Sequence, residues 1–161
     1  LADLDGGVDE GVKRQVMGVF APEWVEPIAN AMLALGAERA MVVHGLDGMD
    51  EISTTGATLV AEVNGGGVNV REMTPEDIGV ARVSLDQLRG GSVAENAEAL
   101  MRLLRGEPGP FADLVVVNAG AAIQVAGLVG SLSDGVAAAR ASIASGKALN
   151  ALEALKRASN G

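Results

Sequence analysis

Val42-Val43-His44-Gly45-Leu46-Asp47-Gly48-Met49-Asp50-Glu51 is the stretch on which the reading of this chain turns. The apolar run over 40–43 stops at a segment carrying three acids, two glycines and the only histidine of the chain. That is the pattern of a buried strand delivering polar groups to its carboxyl end, where ligands bind in open α/β sheets. Asp50 and Glu51 are adjacent hard oxygen donors. Such a pair suits Mg²⁺, which often takes one or two protein carboxylates and finds its other ligands in water and substrate phosphate. Without that context, neighbouring acids are ordinarily a solvated loop.

Working upstream, Val16, Met17, Val19 and Phe20 predict a short strand over 15–20. Pro22 favours a helix start. Val25, Ile28, Ala29, Met32 and Leu35 follow at helical spacing, and Gly36 is placed to end the helix. Pro27 is tolerated only if it falls in the first turn, so the regular helix should begin near Trp24. The next strand is 39–43. Strand, helix, strand with this crossover predicts a parallel pair. Residues 1–11 hold Asp3, Asp5, Asp9 and Glu10 around Gly6-Gly7 and have no apolar period. They read as an acidic leader in loop conformation, ahead of a single α/β domain over 12–161.

Downstream the period changes. Leu59, Ala61 and Val63 alternate with Thr58, Val60 and Glu62, and Val68 and Val70 with Asn69 and Arg71. Asn64-Gly65-Gly66-Gly67 lies between them, so this is a β-hairpin. Thr74-Pro75-Glu76-Asp77 reads as a helix start capped by Thr74 and cut short by Gly79. Residues 85–91 form a link. Ser92 with Glu95 is a capping box, and Val93, Ala97, Leu100, Met101 and Leu104 carry a helix to Gly106. After the break at Pro108-Gly109-Pro110, residues 111–128 form a buried helix with Asn118 as a hydrogen-bonded core asparagine. Helices over 134–144 and 147–158 are split by Gly146. The fold class is therefore α/β: a mainly parallel sheet flanked by helices, with a β-hairpin insertion.

Composition removes several functions. With 12 basic and 21 acidic residues, the net charge of −9 opposes nucleic-acid binding. A phosphorylated small molecule remains compatible, because backbone N–H groups and a metal can hold phosphate in an acidic protein. Phe20, Trp24 and Phe111 are the only aromatics. No apolar run approaches the ~20 residues of a membrane span. Cysteine is absent, which excludes disulfides and fits a cytoplasmic location. One histidine excludes a multi-histidine zinc site within the chain. Gly146-Lys147-Ala148 fails as a Walker loop. A calcium loop begun at Asp47 would put Met49 at an oxygen-ligand position.

The string His44-Gly45-Leu46-Asp47-Gly48-Met49-Asp50-Glu51 resembles the His-Gly-x-x-Gly-x-Asp-Glu signature of the anthranilate phosphoribosyltransferases. Thr74-Pro75-Glu76-Asp77-Ile78-Gly79, Leu88-Arg89-Gly90-Gly91, Asn96-Ala97, Asn118-Ala119 and Ser145-Gly146-Lys147-Ala148-Leu149 fall in that family's order and spacing. The resemblance runs from about 11 to 160. It implies the α/β domain of the nucleoside phosphorylase/phosphoribosyltransferase type. It also implies transfer of phosphoribosyl from phosphoribosyl pyrophosphate to anthranilate, a step in tryptophan biosynthesis. By resemblance Asp50 and Glu51 hold Mg²⁺ with the pyrophosphate; no catalytic residue is assigned, and His44 is expected to be a hydrogen-bonded structural group. The family's Gly-Thr-Gly-Gly-Asp loop and Lys-His-Gly-Asn segment are not in the sequence. The chain is thus expected to be the C-terminal portion of a larger enzyme, inactive alone, with exposed apolar surface that favours a homo-oligomer. Two alternatives stay open: a nucleoside phosphorylase-like transferase of the same fold, and a non-catalytic binding or assembly module.

Overall fold

The computed structural model describes residues 12–160, so the acidic leader expected over 1–11 lies outside the described residues. Strand β1 (Arg14–Gly18) leads through a 3-10 turn at Pro22–Trp24 into helix α1 (Val25–Ala34). Pro27 sits in the first turn of α1, as its missing N–H requires. Strand β2 (Arg39–Gly45) follows, then the loop 46–57, then strands β3 (Thr58–Asn64) and β4 (Val68–Met73). The rest is helical: α2 (Val93–Leu104), α3 (Pro110–Val125), α4 (Leu132–Ala144) and α5 (Lys147–Asn160).

The four strands lie in sequence order. β1 pairs with β2 in parallel, with Arg14 opposite Arg39 and Gly18 opposite Val43. β2 pairs with β3 antiparallel, and β3 with β4 antiparallel. The α/β class and the hairpin are as expected, but the sheet over the described residues is mixed rather than mainly parallel. Loop 46–57 is the reason. It carries no crossover helix and is folded back on itself through Asp47, Ser53 and Thr55, so the chain returns antiparallel beside β2.

β2 is buried on both faces because both faces are covered. Met41 and Val43 join Ile52, Val60, Val116, Val117, Ala121 and Val136 under α3 and α4. Ala40 and Val42 join Val25, Ala29, Ala61 and Val63 under α1. A strand covered twice reads as a continuous apolar run, which is what 40–43 is. α3 and α4 approach through Gly120 and Gly135. A Cβ on Gly135 would lie 2.3 Å from the Gly120 carbonyl oxygen, and one on Gly120 would lie 2.7 Å from the Val136 nitrogen. Both contacts are with backbone, which cannot rotate aside. Gly135→Ala should therefore cost about 1–3 kcal/mol through overpacking. We expect a fall in Tm of roughly 2–10 °C for a domain of this size, read by thermal circular dichroism. An unchanged Tm would mean the helices separate without cost.

Short capped turns join these elements. Thr74 and Asp77 form a reciprocal capping box over a 3-10 turn at Pro75–Ile78, which Gly79 ends at φ 71°. Ser92 and Glu95 form the expected box at the start of α2. The link 85–91 contains a further 3-10 turn, Leu85–Leu88, capped by Ser84 with Gln87.

Candidate metal-binding turn

β2 runs two residues past the expected 39–43, to Gly45. His44 explains the extension. It is buried, and its Nδ1 lies 2.7 Å from the Val19 carbonyl oxygen. A carbonyl only accepts, so Nδ1 carries the proton and the ring ties the carboxyl end of β1 to that of β2. The only histidine is thus held as a hydrogen-bonded strand-end group.

The turn that follows closes on itself. Gly45 donates from its amide to the Met49 carbonyl at 2.8 Å, and Gly48 donates to the Gly45 carbonyl at 2.8 Å. The Asp47 carboxylate accepts from the Met49 amide at 3.2 Å and from the hydroxyls of Ser53 and Thr55. Ser53 Oγ in turn accepts from the Thr55 amide at 2.8 Å and the Gly56 amide at 3.2 Å. Asp47 is therefore a structural anchor that folds the second half of the loop onto the first. Partial burial pushes its carboxyl up, but the Ser53 and Thr55 hydroxyls and the Met49 amide outweigh that. They hold it below the ordinary aspartate value.

A carboxyl depressed in the fold contributes stability that is present above its unfolded value and lost as pH falls through the folded value. Asp47→Asn should lower Tm at pH 7. The gap to wild type should close as pH drops below about 4, near the unfolded aspartate pKa. Thermal melts between pH 7 and pH 2 decide this. A gap that does not change with pH would assign the loss to shape rather than charge.

Asp50 and Glu51 stand apart from this network. Both are exposed, and among the described hydrogen bonds and ion pairs neither carboxylate has a partner. Burial, then the charges of Asp50 and Asp47, push the Glu51 carboxyl above its ordinary value. Like charges left uncompensated in this way are relieved by a cation. The backbone between the two side chains is tightly held. A Cβ on Gly18 would lie 1.5 Å from the Asp50 carbonyl oxygen, so only glycine lets the end of β1 pass beneath this turn. On the far side, Asn118 of α3 accepts from the Ile52 amide at 2.9 Å and donates to the Ile52 carbonyl at 3.0 Å. The 74–83 segment supports the loop as well. Val83 donates to the Thr54 carbonyl at 3.0 Å, and Arg82 grips Glu76 through two 3.0 Å contacts. That pairing holds the Glu76 carboxyl down at about 2.

The structure thus puts both expected metal residues on one braced turn at the carboxyl end of β2. Among the described residues, no group of three or more metal-ligating side chains comes together. The donor set still suits Mg²⁺. The ion keeps several waters and needs only one or two carboxylates, and the acid nearest the pair, Asp47, is already occupied by hydroxyls. One hollow in the surface lies at the other end of β2, beside Arg39, Glu62 and Gln124. Sequence reasoning missed Gly18, Asp47, Ser53 and Thr55. The hydroxyl run Ser53-Thr54-Thr55 six residues after Asp47 was the available signal for the anchor. Nothing in the sequence marks Gly18 as passing under Asp50.

A model of the glycosyl transferase family, a/b domain, matches residues 9–149. The anthranilate phosphoribosyltransferase of Parvibaculum lavamentivorans is 49% identical over 150 residues, which are 93% of this chain and 44% of that protein. The one of Rubrobacter xylanophilus is 53% identical over 150 residues, 92% of this chain and 44% of that protein. The crystal structure of the Thermus thermophilus anthranilate phosphoribosyltransferase superposes with a TM-score of 0.77 at 46% identity, covering 84% of this chain and 40% of that one. The Saccharomyces cerevisiae enzyme in complex with phosphoribosyl pyrophosphate and Mg superposes with a TM-score of 0.76 at 26% identity, covering 87% of this chain and 41% of that one. The chain spans less than half the length of these relatives. Among the described residues no helix is long and apolar enough to cross a membrane. With the family model matching most of its length and the same fold in solved members, this chain belongs to the glycosyl transferase family, in its α/β domain.

Proposed function

We propose that this chain supplies the metal-binding turn of an anthranilate phosphoribosyltransferase, and not its pyrophosphate loop, with Asp50 and Glu51 as its Mg²⁺ ligands. The observation that carries the reading is a pair of carboxylates that have no partner among the described residues, on a turn pinned on both sides, in a chain about half identical to proteins of that name. The transfer breaks the bond from ribose C1 to a pyrophosphate oxygen and forms one from C1 to the amine of anthranilate. Pyrophosphate leaves with the bonding pair, and the amine gives up a proton. Bound Mg²⁺ would neutralise the negative charge that builds on the leaving pyrophosphate. Asp50 and Glu51 would hold the ion through one or two of their oxygens. Asp47, the Gly45–Met49 closure and Asn118 would keep those oxygens in place before substrate arrives. Pre-set positions cost no reorganisation at the moment of reaction. His44, with Nδ1 committed to Val19, is assigned a structural part. A cytoplasmic setting and self-association belong to the same proposal. The test is Asp50→Asn with Glu51→Gln in an active enzyme that contains this domain, which should lower turnover and leave the fold unchanged.

A further inference from the structure

α3 is apolar from Leu114 to Ile123 except for one residue, Asn118. A polar side chain inside an apolar helix face is costly unless it is paired. Asn118 is fully paired, and its partners are informative. Its amide donates to Leu114 of its own helix at 3.0 Å and to the Ile52 carbonyl at 3.0 Å, while its oxygen accepts from the Ile52 amide at 2.9 Å. Both backbone groups of one residue are thus clamped by one side chain, as a neighbouring strand would clamp them. That residue directly follows Glu51.

We propose that Asn118 is a positioning residue for the Asp50-Glu51 turn: by fixing the backbone of Ile52 it sets the affinity of the two carboxylates for a divalent cation without touching the cation. This rests on the reading of Asp50 and Glu51 as metal ligands. The fixed points on either side define how short the free span is. Residues 45 and 49 are closed by their own backbone bond. The side chain of Ile52 is fully buried against the α3 core, and the Ser53 amide is held at 2.9 Å by the Thr58 hydroxyl. Only Asp50 and Glu51 lie between these pins, with Gly18 packed beneath Asp50. Freed of the Asn118 clamp, residues 50–52 gain backbone rotation, and the two carboxylates no longer meet one ion in a fixed relation. Partners hydrogen-bonded to the ligands themselves characteristically change affinity by about 10–100-fold, and Asn118, which acts through the backbone of the next residue, is expected at the lower end of that range.

The test uses the 161-residue chain and Mn²⁺ alone as the probe. Amide broadening in ¹H–¹⁵N spectra locates the ion and its titration gives the affinity. Hydrogen exchange at the Ile52 amide is read in parallel. Asn118→Leu, of similar size with neither donor nor acceptor, should weaken Mn²⁺ at the turn by at least ~10-fold and raise exchange at Ile52. Asn118→Asp keeps the acceptor, loses the donor and adds a negative charge. It should also weaken the ion, and it serves if the leucine variant does not fold. Ile52→Val loosens the same core contact but leaves the clamp, so it should lower Tm without changing Mn²⁺ affinity. If Asp50→Asn with Glu51→Gln abolishes the broadening while both Asn118 variants bind as wild type does, the positioning role is overturned and the metal reading stands. Tighter binding by Asn118→Asp would show that charge rather than position sets the affinity, which also overturns it. If wild type shows no broadening localised to 48–53, the metal reading falls and takes this inference with it.

Discussion

Asp50→Asn combined with Glu51→Gln should lower phosphoribosyl transfer by at least ~100-fold in an active enzyme that contains this domain, with its fold unchanged. A suitable enzyme is this chain joined to the amino-terminal half of its Rubrobacter xylanophilus relative. The magnitude follows from what the pair is asked to do. Removing one preorganised electrostatic contact to developing charge typically costs ~100–1000-fold in turnover. Both substitutions keep size and shape and remove only charge. They fall on exposed side chains without hydrogen-bond partners among the described residues, so little stability should be lost. The loss should be largest at low Mg²⁺ and partly recovered as Mg²⁺ is raised, because a weakened site can be filled by mass action. Steady-state assays over a range of Mg²⁺ concentration, with circular dichroism as the fold check, read this directly. Kinetics unchanged at both low and saturating Mg²⁺ would return Asp50 and Glu51 to a solvated turn.

What could be read from the sequence follows a physical divide. Periodicity and turn chemistry are local, so α1, the hairpin, the Thr74 and Ser92 caps and the helices after Pro110 were legible from their own residues. Pro27 was legible because its chemistry permits only a first-turn position. The end of β2 was not. His44 and Gly45 look like turn residues, and they stay in strand because the Val19 carbonyl, distant in sequence, takes up the His44 ring and β3 lies in register opposite both residues. The mixed sheet was hidden for a related reason. Loop 46–57 has no apolar period, and the Asp47–Ser53–Thr55 network that folds it back is a tertiary fact. For Asn118 the sequence showed that a partner was needed. It could not show that the partner would be Ile52, which makes a core residue part of the site. Gly18 is the limiting case: its need for glycine is visible only once the Asp50 carbonyl lies over it.

The 161-residue chain assayed alone should not turn over phosphoribosyl pyrophosphate and anthranilate. Pyrophosphate carries several negative charges, and Asp50 and Glu51 add two more to the same place. Mg²⁺ offsets part of this, so further donors must face the phosphates, in the way that glycine-rich turns at helix starts offer backbone N–H groups. Among the described residues one diglycine opens onto a helix, Gly90-Gly91 before α2, and the amides of Gly91 and of Ser92 after it are already spent. The Gly91 amide donates to Asn96 at 2.8 Å and the Ser92 amide to Glu95 at 2.8 Å. The Glu95 carboxylate, held below its ordinary value by the Ser92 hydroxyl and amide, keeps its charge there and repels an anion. Gly65-Gly66-Gly67 turns between two strands and offers no helix start. The acceptor amine must also be held in line with ribose C1, where a misplacement of about 1 Å can cost ~100-fold. Meanwhile Phe20 is 80% exposed and Trp24 45% exposed beside the carboxyl end of β1, an apolar surface that favours self-association. Size-exclusion chromatography should therefore show a species larger than a monomer. Loss of anthranilate fluorescence with phosphoribosyl pyrophosphate and Mg²⁺ measures turnover. The expected result is no loss above background, with activity appearing once the amino-terminal half of a relative is supplied. Turnover by the chain alone in the ordinary enzymatic range of ~1–1000 s⁻¹ would show that these residues build the whole phosphate site, and the assignment of the chain to one side of it would be wrong.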